Sequence, residues 1–251
     1  MQRLRIFPRA GIILLVLVGF GAAGAAQSGS FEVAQNGHAV GTASYRFSAT
    51  KDGYDSTAIV KVTVQGLDYA LSKDEELSAA NELEHAVLSA TVNGEAVNVV
   101  AAPDAAQIQL TISANGKSTT TRLASHPAAV LLPDFDAGAL ETLLALAVAH
   151  NNRDLWAILP KEAGSIVPVQ LATYPDEEGT LAGKPITVHH VVAMIAGENT
   201  GLYSGPENQL LQADLPEGGF ALIRKEFALK PSKRPVIPMD GQDGATPGPT
   251  Q

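Results

Sequence analysis

The stretch Ala86-Val87-Leu88-Ser89-Ala90-Thr91-Val92-Asn93-Gly94-Glu95-Ala96-Val97-Asn98-Val99-Val100 places two β-prone segments on either side of an Asn-Gly pair. Both central residues of a type I′ hairpin turn need positive φ, which Asn and Gly tolerate best. The chain contains two further pairs of this kind, Asn36-Gly37 and Asn115-Gly116. Successive local hairpins predict an antiparallel meander rather than a parallel sheet with crossover helices.

The strand pattern continues on both sides of this hairpin. Residues 107–112 alternate polar and apolar side chains before the third Asn-Gly pair, and residues 118–123 follow it. Residues 57–64 form another β-prone run after a Lys-Asp-Gly turn. Residues 71–83 are ambiguous, because the polar segment 72–77 is also typical of a helix start. We interpret 71–83 as strand with a polar interruption.

The hydrophobic period changes to that of a helix over residues 137–150. Asp136 is a good N-cap, and Asp134 and Glu141 add negative charge near the helix start. His150 and Asn151-Asn152 suit its C-terminal end. One apolar stripe is expected to pack against the sheet, and it comprises Leu140, Leu143, Leu144, Ala147 and Val148.

After the helix, residues 153–160 read as a loop or short turn with Trp156 buried. Strands are predicted at 169–174 and 186–195 around a loop at 175–179, and a turn-rich link is predicted at 197–201. A closing hairpin pairs 209–215 with 220–229. The predicted fold class is therefore mainly β: a curved antiparallel meander, open or forming a half barrel, that packs around one Leu-rich α-helix.

The N-terminus has the three parts of a cleavable secretory signal: basic residues, a short apolar core at 12–20 and small residues up to Ala26. An uncleaved membrane anchor is the alternative, but it needs about 20 strongly apolar residues. We expect a signal peptide at 1–26, one β-rich domain at 27–229 and a disordered Pro- and Gly-rich tail at 230–251. The predicted location is periplasmic or secreted, with membrane attachment only if the signal is not cleaved.

Composition narrows the classes of partner. The chain has no cysteine, which excludes disulfides, thiolate catalysis and Cys-ligated metals. The predicted signal carries three of the 17 basic residues and none of the 26 acidic ones, so its removal takes the net charge from −9 to −12. An acidic surface disfavours phosphate backbones, and we expect no nucleic-acid partner.

Few residues stand out as candidates for chemistry. His189 and His190 are adjacent, but on a strand they point to opposite faces and cannot bind one metal together. His190 shares its face with apolar residues, Met194 among them, and a hydrogen-bonded core histidine is the main interpretation. Asp134 and Asp136 form a carboxylate pair that the helix start already explains. No zinc-ligand spacing or phosphate loop is present, and we expect no metal and no cofactor. Residues 48–51 formally match the Ser-x-x-Lys nucleophile motif, but they run into a turn instead of starting a buried helix, so we interpret the match as chance.

A further hypothesis assigns ligand binding to a pocket between helix and sheet, near Trp156 and Val148. The side chains proposed to line it are Trp156, Tyr174, His190, Tyr203 and Phe220.

The opening segment 31–43, with its strand, tight turn and Val-Gly-Thr-Ala strand, resembles an uncharacterised bacterial envelope family of β-sheet proteins. The Leu132-Pro133-Asp134 segment, the Leu-rich helix and the closing segment 219–224 are similar in order. That family is distantly similar in layout to lipoprotein-carrier proteins of the LolA type, in which a curved antiparallel sheet wraps a helix around an apolar concavity. The resemblance implies no catalytic residues.

Three functions follow as alternatives. The leading hypothesis is a non-enzymatic exported envelope protein that binds an apolar or amphipathic ligand, such as a lipid, or another envelope protein in the concavity of the sheet. The rival is a hydrolase-type enzyme that uses His190 with Asp134 or Asp136. The third is a structural or secretion-associated protein.

Overall fold

A computed structural model describes residues 27–161, 164–215 and 217–231. The predicted signal peptide at 1–26 and nearly all of the predicted tail lie outside these residues. The described chain is mainly β with one α-helix, α1 (Ala137–Ala149), and a short 3-10 helix at Glu217–Gly219. The strands are β1 (Ser28–Gln35), β2 (His38–Ala49), β3 (Gly53–Val64), β4 (Leu67–Ser78), β5 (Leu83–Val92), β6 (Glu95–Asp104), β7 (Gln107–Ala114), β8 (Lys117–Ala124), β9 (Ala129–Leu131), β10 (Leu155–Leu159), β11 (Ser165–Thr173), β12 (Glu177–Leu181), β13 (Lys184–Ile195), β14 (Glu198–Ser204), β15 (Leu210–Leu215), β16 (Phe220–Arg224) and β17 (Phe227–Leu229).

All strands belong to one large curved sheet. β1 to β8 form an antiparallel meander, each strand pairing with the next. On its other side β1 pairs with β16, and the sheet continues through β15, β14, β13, β11 and β10 to β9, which pairs with β10 in parallel. β12 and β17 extend the sheet beside the first half of β13. Curvature brings β9 against β5 and β8 against β11, yet the sheet stays open. The predicted fold class is confirmed.

The three Asn-Gly pairs make the predicted turns. In each of them both residues have positive φ, for example 51° at Asn93 and 85° at Gly94. Two Ala-Gly pairs, Ala182-Gly183 and Ala196-Gly197, do the same at two further hairpins. Alanine tolerates this conformation less well than asparagine, so sequence rules did not single these turns out.

Helix α1 begins where predicted and is enclosed more completely than predicted. Asp136 caps it, since its Oδ1 accepts hydrogen bonds from the amides of Gly138 (2.9 Å) and Ala139 (3.1 Å). Every residue from 137 to 144 is buried, because β1, β2, β3, β9, β10 and β15 all contact the helix. Apolar residues lie on all sides of the helix, which fits such a setting, and Glu141 and Thr142 are buried together with them. The single-stripe expectation is wrong at Val148, which is 59% exposed where the helix leaves the sheet.

Several predicted loops are strands. Residues 155–159 form β10, a short buried run that periodicity alone could not assign. Residues 177–181 form β12, where Gly179 packs closely against Phe227 and Val188 instead of making a turn. Residues 198–204 form β14 directly after a two-residue turn.

The last predicted strand, 220–229, is broken. The left-handed residue Glu226 (φ 65°) separates β16, which pairs with β1 and β15, from β17, which pairs with β12. The ambiguous segment 71–83 is strand up to Ser78, as interpreted, followed by a short turn.

Candidate functional site

A cavity of about 530 Å³ opens between the concave side of the sheet and the beginning of α1. Its volume falls in the range of small-molecule pockets, roughly 300–1,000 Å³. Most of its wall is apolar and comes from strands that are far apart in sequence. The apolar lining consists of Leu67, Tyr69, Val92, Leu132, Pro133, Phe135, Leu140, Leu159, Ile195, Ala196, Leu215 and Phe220.

Polar groups of the cavity are concentrated in a few residues. Asp134 and Lys161 form an ion pair of 3.0 Å and are both about half exposed. Glu198 is exposed and adds a second carboxylate, whereas Thr200 is buried. Asp136 also lines the cavity but is buried. Among the described lining residues, the mouth therefore carries two carboxylates, Asp134 and Glu198, and one ammonium group, Lys161.

Phe135 forms part of the cavity wall and has a strained backbone conformation. Its φ is 59°, in the left-handed region that bulky side chains rarely adopt. The ring lies edge-on to Tyr69 (centroid distance 5.7 Å) and Phe220 (5.0 Å). Burial raises the pKa of Tyr69, and its hydroxyl donates a hydrogen bond to the backbone oxygen of Asp134 (3.3 Å). Strain of this kind is commonest where a segment is held for a functional purpose.

Three charged side chains lie buried behind this segment. The Nζ of Lys73 is 2.8 Å from Oδ2 of Asp136 and 3.0 Å from Oε2 of Glu75, and all three side chains are at most 1% exposed. These contacts are ion pairs by distance, but they lack the alignment of hydrogen bonds. Burial acts to lower the pKa of Lys73, yet the carboxylates of Asp136 and Glu75 outweigh it and raise that pKa. Burial raises the pKa of Glu75.

A second buried acid lies further along α1. Oε2 of Glu141 accepts a 2.6 Å hydrogen bond from the amide of Leu210, and its Oε1 accepts one from the side chain of Gln27. Arg224 approaches the same region, where its guanidinium donates to the carbonyls of Leu210 (3.1 Å) and Ser28 (2.7 Å). Burial raises the pKa of Glu141. Glu141 lies beyond the first helical turn, so it joins the helix to β15 and does not act as the charge at the helix start that the sequence suggested.

Of the five residues predicted to bind a ligand, Phe220 alone lines this cavity. Trp156 is half-buried rather than buried and stacks on His126 at 3.7 Å. Neither Trp156 nor Val148 belongs to the cavity lining, which instead surrounds the opposite end of the helix.

Tyr174, His190 and Tyr203 form a separate stack, with ring centroids 5.1 and 4.4 Å apart. The Nδ1 of His190 is 3.1 Å from a carboxylate oxygen of Glu177. His190 is thus a buried, paired histidine, as the sequence indicated, and His189 is half-exposed beside Asp176.

The apolar face of β13 does not continue as predicted. Val188 and His190 are buried, but further along the strand the buried residues are Ala193 and Ile195, and Met194 is 38% exposed. The face reverses around residues 191–192, where β13 exchanges one neighbour, β12, for another, β11.

The carboxylates named for a hydrolase have other partners. Asp136 contacts Lys73 and caps the helix, and Asp134 contacts Lys161. The carboxylate beside His190 is that of Glu177. Among the described residues, no group of three or more histidine, cysteine, aspartate or glutamate side chains is arranged to hold a metal ion.

Comparisons with protein-family models, curated proteins and solved structures give no match. The resemblance to an envelope family of LolA-like layout therefore stays a prediction. Within the described ranges, no helix combines the length and apolar character that a membrane crossing requires.

Sequence reasoning missed the buried charges of β4. Tyr69, Leu71, Lys73, Glu75 and Leu77 occupy alternate positions and share the inward face. The strand period carried this signal, since an uninterrupted strand through 67–78 must turn Lys73 and Glu75 inward with the apolar residues. Charged residues are seldom fully buried unless they are paired. For this reason the sequence indicates a solvent-exposed interruption of the strand at the polar residues 72–77.

Proposed function

We propose that this protein acts outside the cytoplasm as a binding protein for a single-chain amphiphile, whose acyl chain occupies the cavity between the sheet and α1. The observation that carries the proposal is the predominantly apolar wall of a cavity of about 530 Å³. Removing a methylene group from water contributes about 0.8 kcal/mol. Affinity should therefore rise with chain length until the cavity is full.

The mouth of the cavity favours an uncharged head group. Asp134 and Lys161 neutralise each other, while Glu198 adds a negative charge at the same opening. A ligand carboxylate would meet a mouth that is already negative, in a protein whose overall charge is also negative. A monoacylglycerol fits this environment better than the fatty acid of the same chain length.

The proposal is tested by titrating the purified protein with monoacylglycerols of increasing chain length, using isothermal calorimetry or native mass spectrometry. Fatty acids of matched length form the second arm. We expect saturable one-to-one binding that strengthens with chain length and is weaker for the fatty acids. Absence of binding at every chain length would contradict the proposed function, and stronger binding of the fatty acids would contradict the role given to Glu198.

A matched pair of variants places the ligand. Leu215 is a partly exposed residue of the cavity wall, so Leu215→Trp fills space that the acyl chain needs. Val148→Trp adds the same group to the exposed end of α1, outside the cavity. Binding should be lost in the first variant and kept in the second, after circular dichroism shows that both are folded. Equal affinities would locate the ligand elsewhere.

A further inference from the structure

The buried charges behind the cavity have an arrangement suited to a covalent reaction between two side chains. Lys73 supplies an amine 2.8 Å from the carboxyl group of Asp136, and Glu75 lies 3.0 Å from the same nitrogen. We propose that Lys73 and Asp136 become joined by an intramolecular isopeptide bond after folding, with Glu75 as the group that transfers the protons. The link would connect β4 covalently to the N-cap of α1.

The helix N-terminus activates the carboxyl group of Asp136. Its Oδ1 accepts two hydrogen bonds, from the amides of Gly138 (2.9 Å) and Ala139 (3.1 Å). When the amine adds to Cγ, negative charge develops on Oδ1, and two backbone donors already point at that atom. This is the arrangement that stabilises a tetrahedral oxyanion in acyl-transfer reactions. Oδ2, which faces Lys73, is the oxygen that leaves.

The three side chains are shielded from bulk solvent. In the β-ladder Lys73 lies between Ala58 and Leu88, which are both buried. Glu75 lies between Ala86 and Ser56, and the Ser56 hydroxyl has no hydrogen-bond partner among the described residues. Excluding water protects the reacting groups from solvation and disfavours hydrolysis of the amide. Holding the reacting groups in contact replaces a bimolecular encounter with a step inside one molecule.

The reaction balances without any co-reactant. One proton of the Lys73 ammonium passes through Glu75 to Oδ2 of Asp136, which leaves a neutral amine and a neutral carboxylic acid. The amine nitrogen forms a bond to Cγ, and a second nitrogen proton follows the same route to Oδ2. The Cγ–Oδ2 bond then breaks and one water molecule departs. Glu75 ends as the carboxylate it was at the start, and three buried charges are reduced to one, which relieves their desolvation cost.

The product keeps the structural role of Asp136. The amide oxygen derived from Oδ1 still accepts both backbone hydrogen bonds, so the helix remains capped. A covalent connection between sheet and helix restricts the unfolded chain as a disulfide does. This chain contains no cysteine, so it cannot form a disulfide for the same purpose.

The direct test is the intact mass of the full, denatured wild-type chain, followed by peptide mapping. We expect a mass one water molecule below that of the linear sequence after any N-terminal processing has been assigned. The map should contain a branched peptide that joins Lys73 to Asp136. A wild-type mass equal to the linear sequence, with an intact linear peptide ending at Lys73 after long incubation of the folded protein, overturns the proposal.

Three variants and one control distinguish a covalent bond from an ion pair. Asp136→Asn should form the same amide with loss of ammonia, and it should reach the same final mass as wild type. Glu75→Gln keeps both linked groups but removes the proton carrier, so linkage should slow by orders of magnitude. Lys73→Met abolishes the mass loss, whereas Lys61→Met, at an exposed position of the neighbouring strand, leaves it unchanged. If a variant fails to fold, the wild-type mass still decides.

Discussion

Phe135 offers a test of how much strain the cavity wall holds. Its φ of 59° costs a residue with a side chain about 1–2 kcal/mol relative to glycine. Phe135→Ala and Phe135→Gly both remove the ring, including two aromatic contacts that contribute about 0.5–1.5 kcal/mol each. Only the glycine variant also relieves the backbone strain. Glycine in turn increases the conformational entropy of the unfolded chain, which destabilises the folded state by about 0.5–1 kcal/mol. The glycine variant should therefore be more stable than the alanine variant by about 0.5–1 kcal/mol.

Urea unfolding of the two variants measures this difference directly. With a denaturant slope of about 2–3 kcal/mol per molar urea, the midpoints should differ by about 0.2–0.5 M. Phe220 is the matched control, since it touches the same ring from a strand with ordinary negative φ. There the usual order should hold, with Phe220→Gly less stable than Phe220→Ala. The reasoning is refuted if glycine is also the less stable replacement at position 135.

Three further predictions concern the helix and its contacts. Leu143→Ala should lower the free energy of unfolding by about 2–5 kcal/mol, because Leu143 is fully buried, while Val148→Ala at the exposed helix end should change the thermal midpoint little. Burial raises the pKa of Glu141 in the folded state, so the folded chain binds more protons than the unfolded chain above about pH 4.5. Stability should fall as pH rises through that window, and urea titrations of Glu141→Gln should show a flatter pH dependence than wild type. Arg224→Lys should cost about 1–3 kcal/mol in urea unfolding, because lysine cannot reach both backbone carbonyls with a planar fork, whereas Lys225→Ala, an exposed neighbour, should be close to neutral.

The meander could be predicted because its information is local. An Asn-Gly pair such as Asn93-Gly94 specifies the turn, and the turn fixes which residues of the flanking strands face each other. The helix could be predicted equally well, since Asp136 is both the N-cap expected from residue type and the N-cap observed. These features depend on neighbours in sequence, which a single sequence displays.

Where strands pair with distant partners, the sequence was much less informative. β12 contains two glutamates and a glycine, and it is a strand because β13 and β17 supply hydrogen-bond partners on both sides. Likewise, the division of residues 220–229 follows from two different partner strands, not from a strong turn motif. Long-range pairing of this kind overrides local propensity.

The candidate site was harder to predict than the fold for the same reason. The cavity combines residues from β4, β5, β10 and β15 with residues from the turn after β13. Of the predicted ligand-binding residues, it includes only Phe220. Aromatic residue type led to Trp156 and Tyr174, whose rings instead stack on histidines. Residue type alone does not distinguish a ring that lines a cavity from one that stacks on its neighbour, because that depends on where the curvature of the sheet leaves space.

A short segment, 132–136, connects the cavity to the buried charges. At one end the amide of Leu132 donates to the carbonyl of Ile158 (2.9 Å), and at the other end Asp136 is held by Lys73 and the helix amides. Between these two fixed points Phe135 has little freedom to leave its strained conformation, so its ring stays against Tyr69 in the cavity wall. Strained residues persist only when their surroundings constrain them from several sides. The buried Lys73–Asp136 contact is therefore best understood as a constraint on the shape of the cavity, because Asp136 itself forms part of the cavity wall.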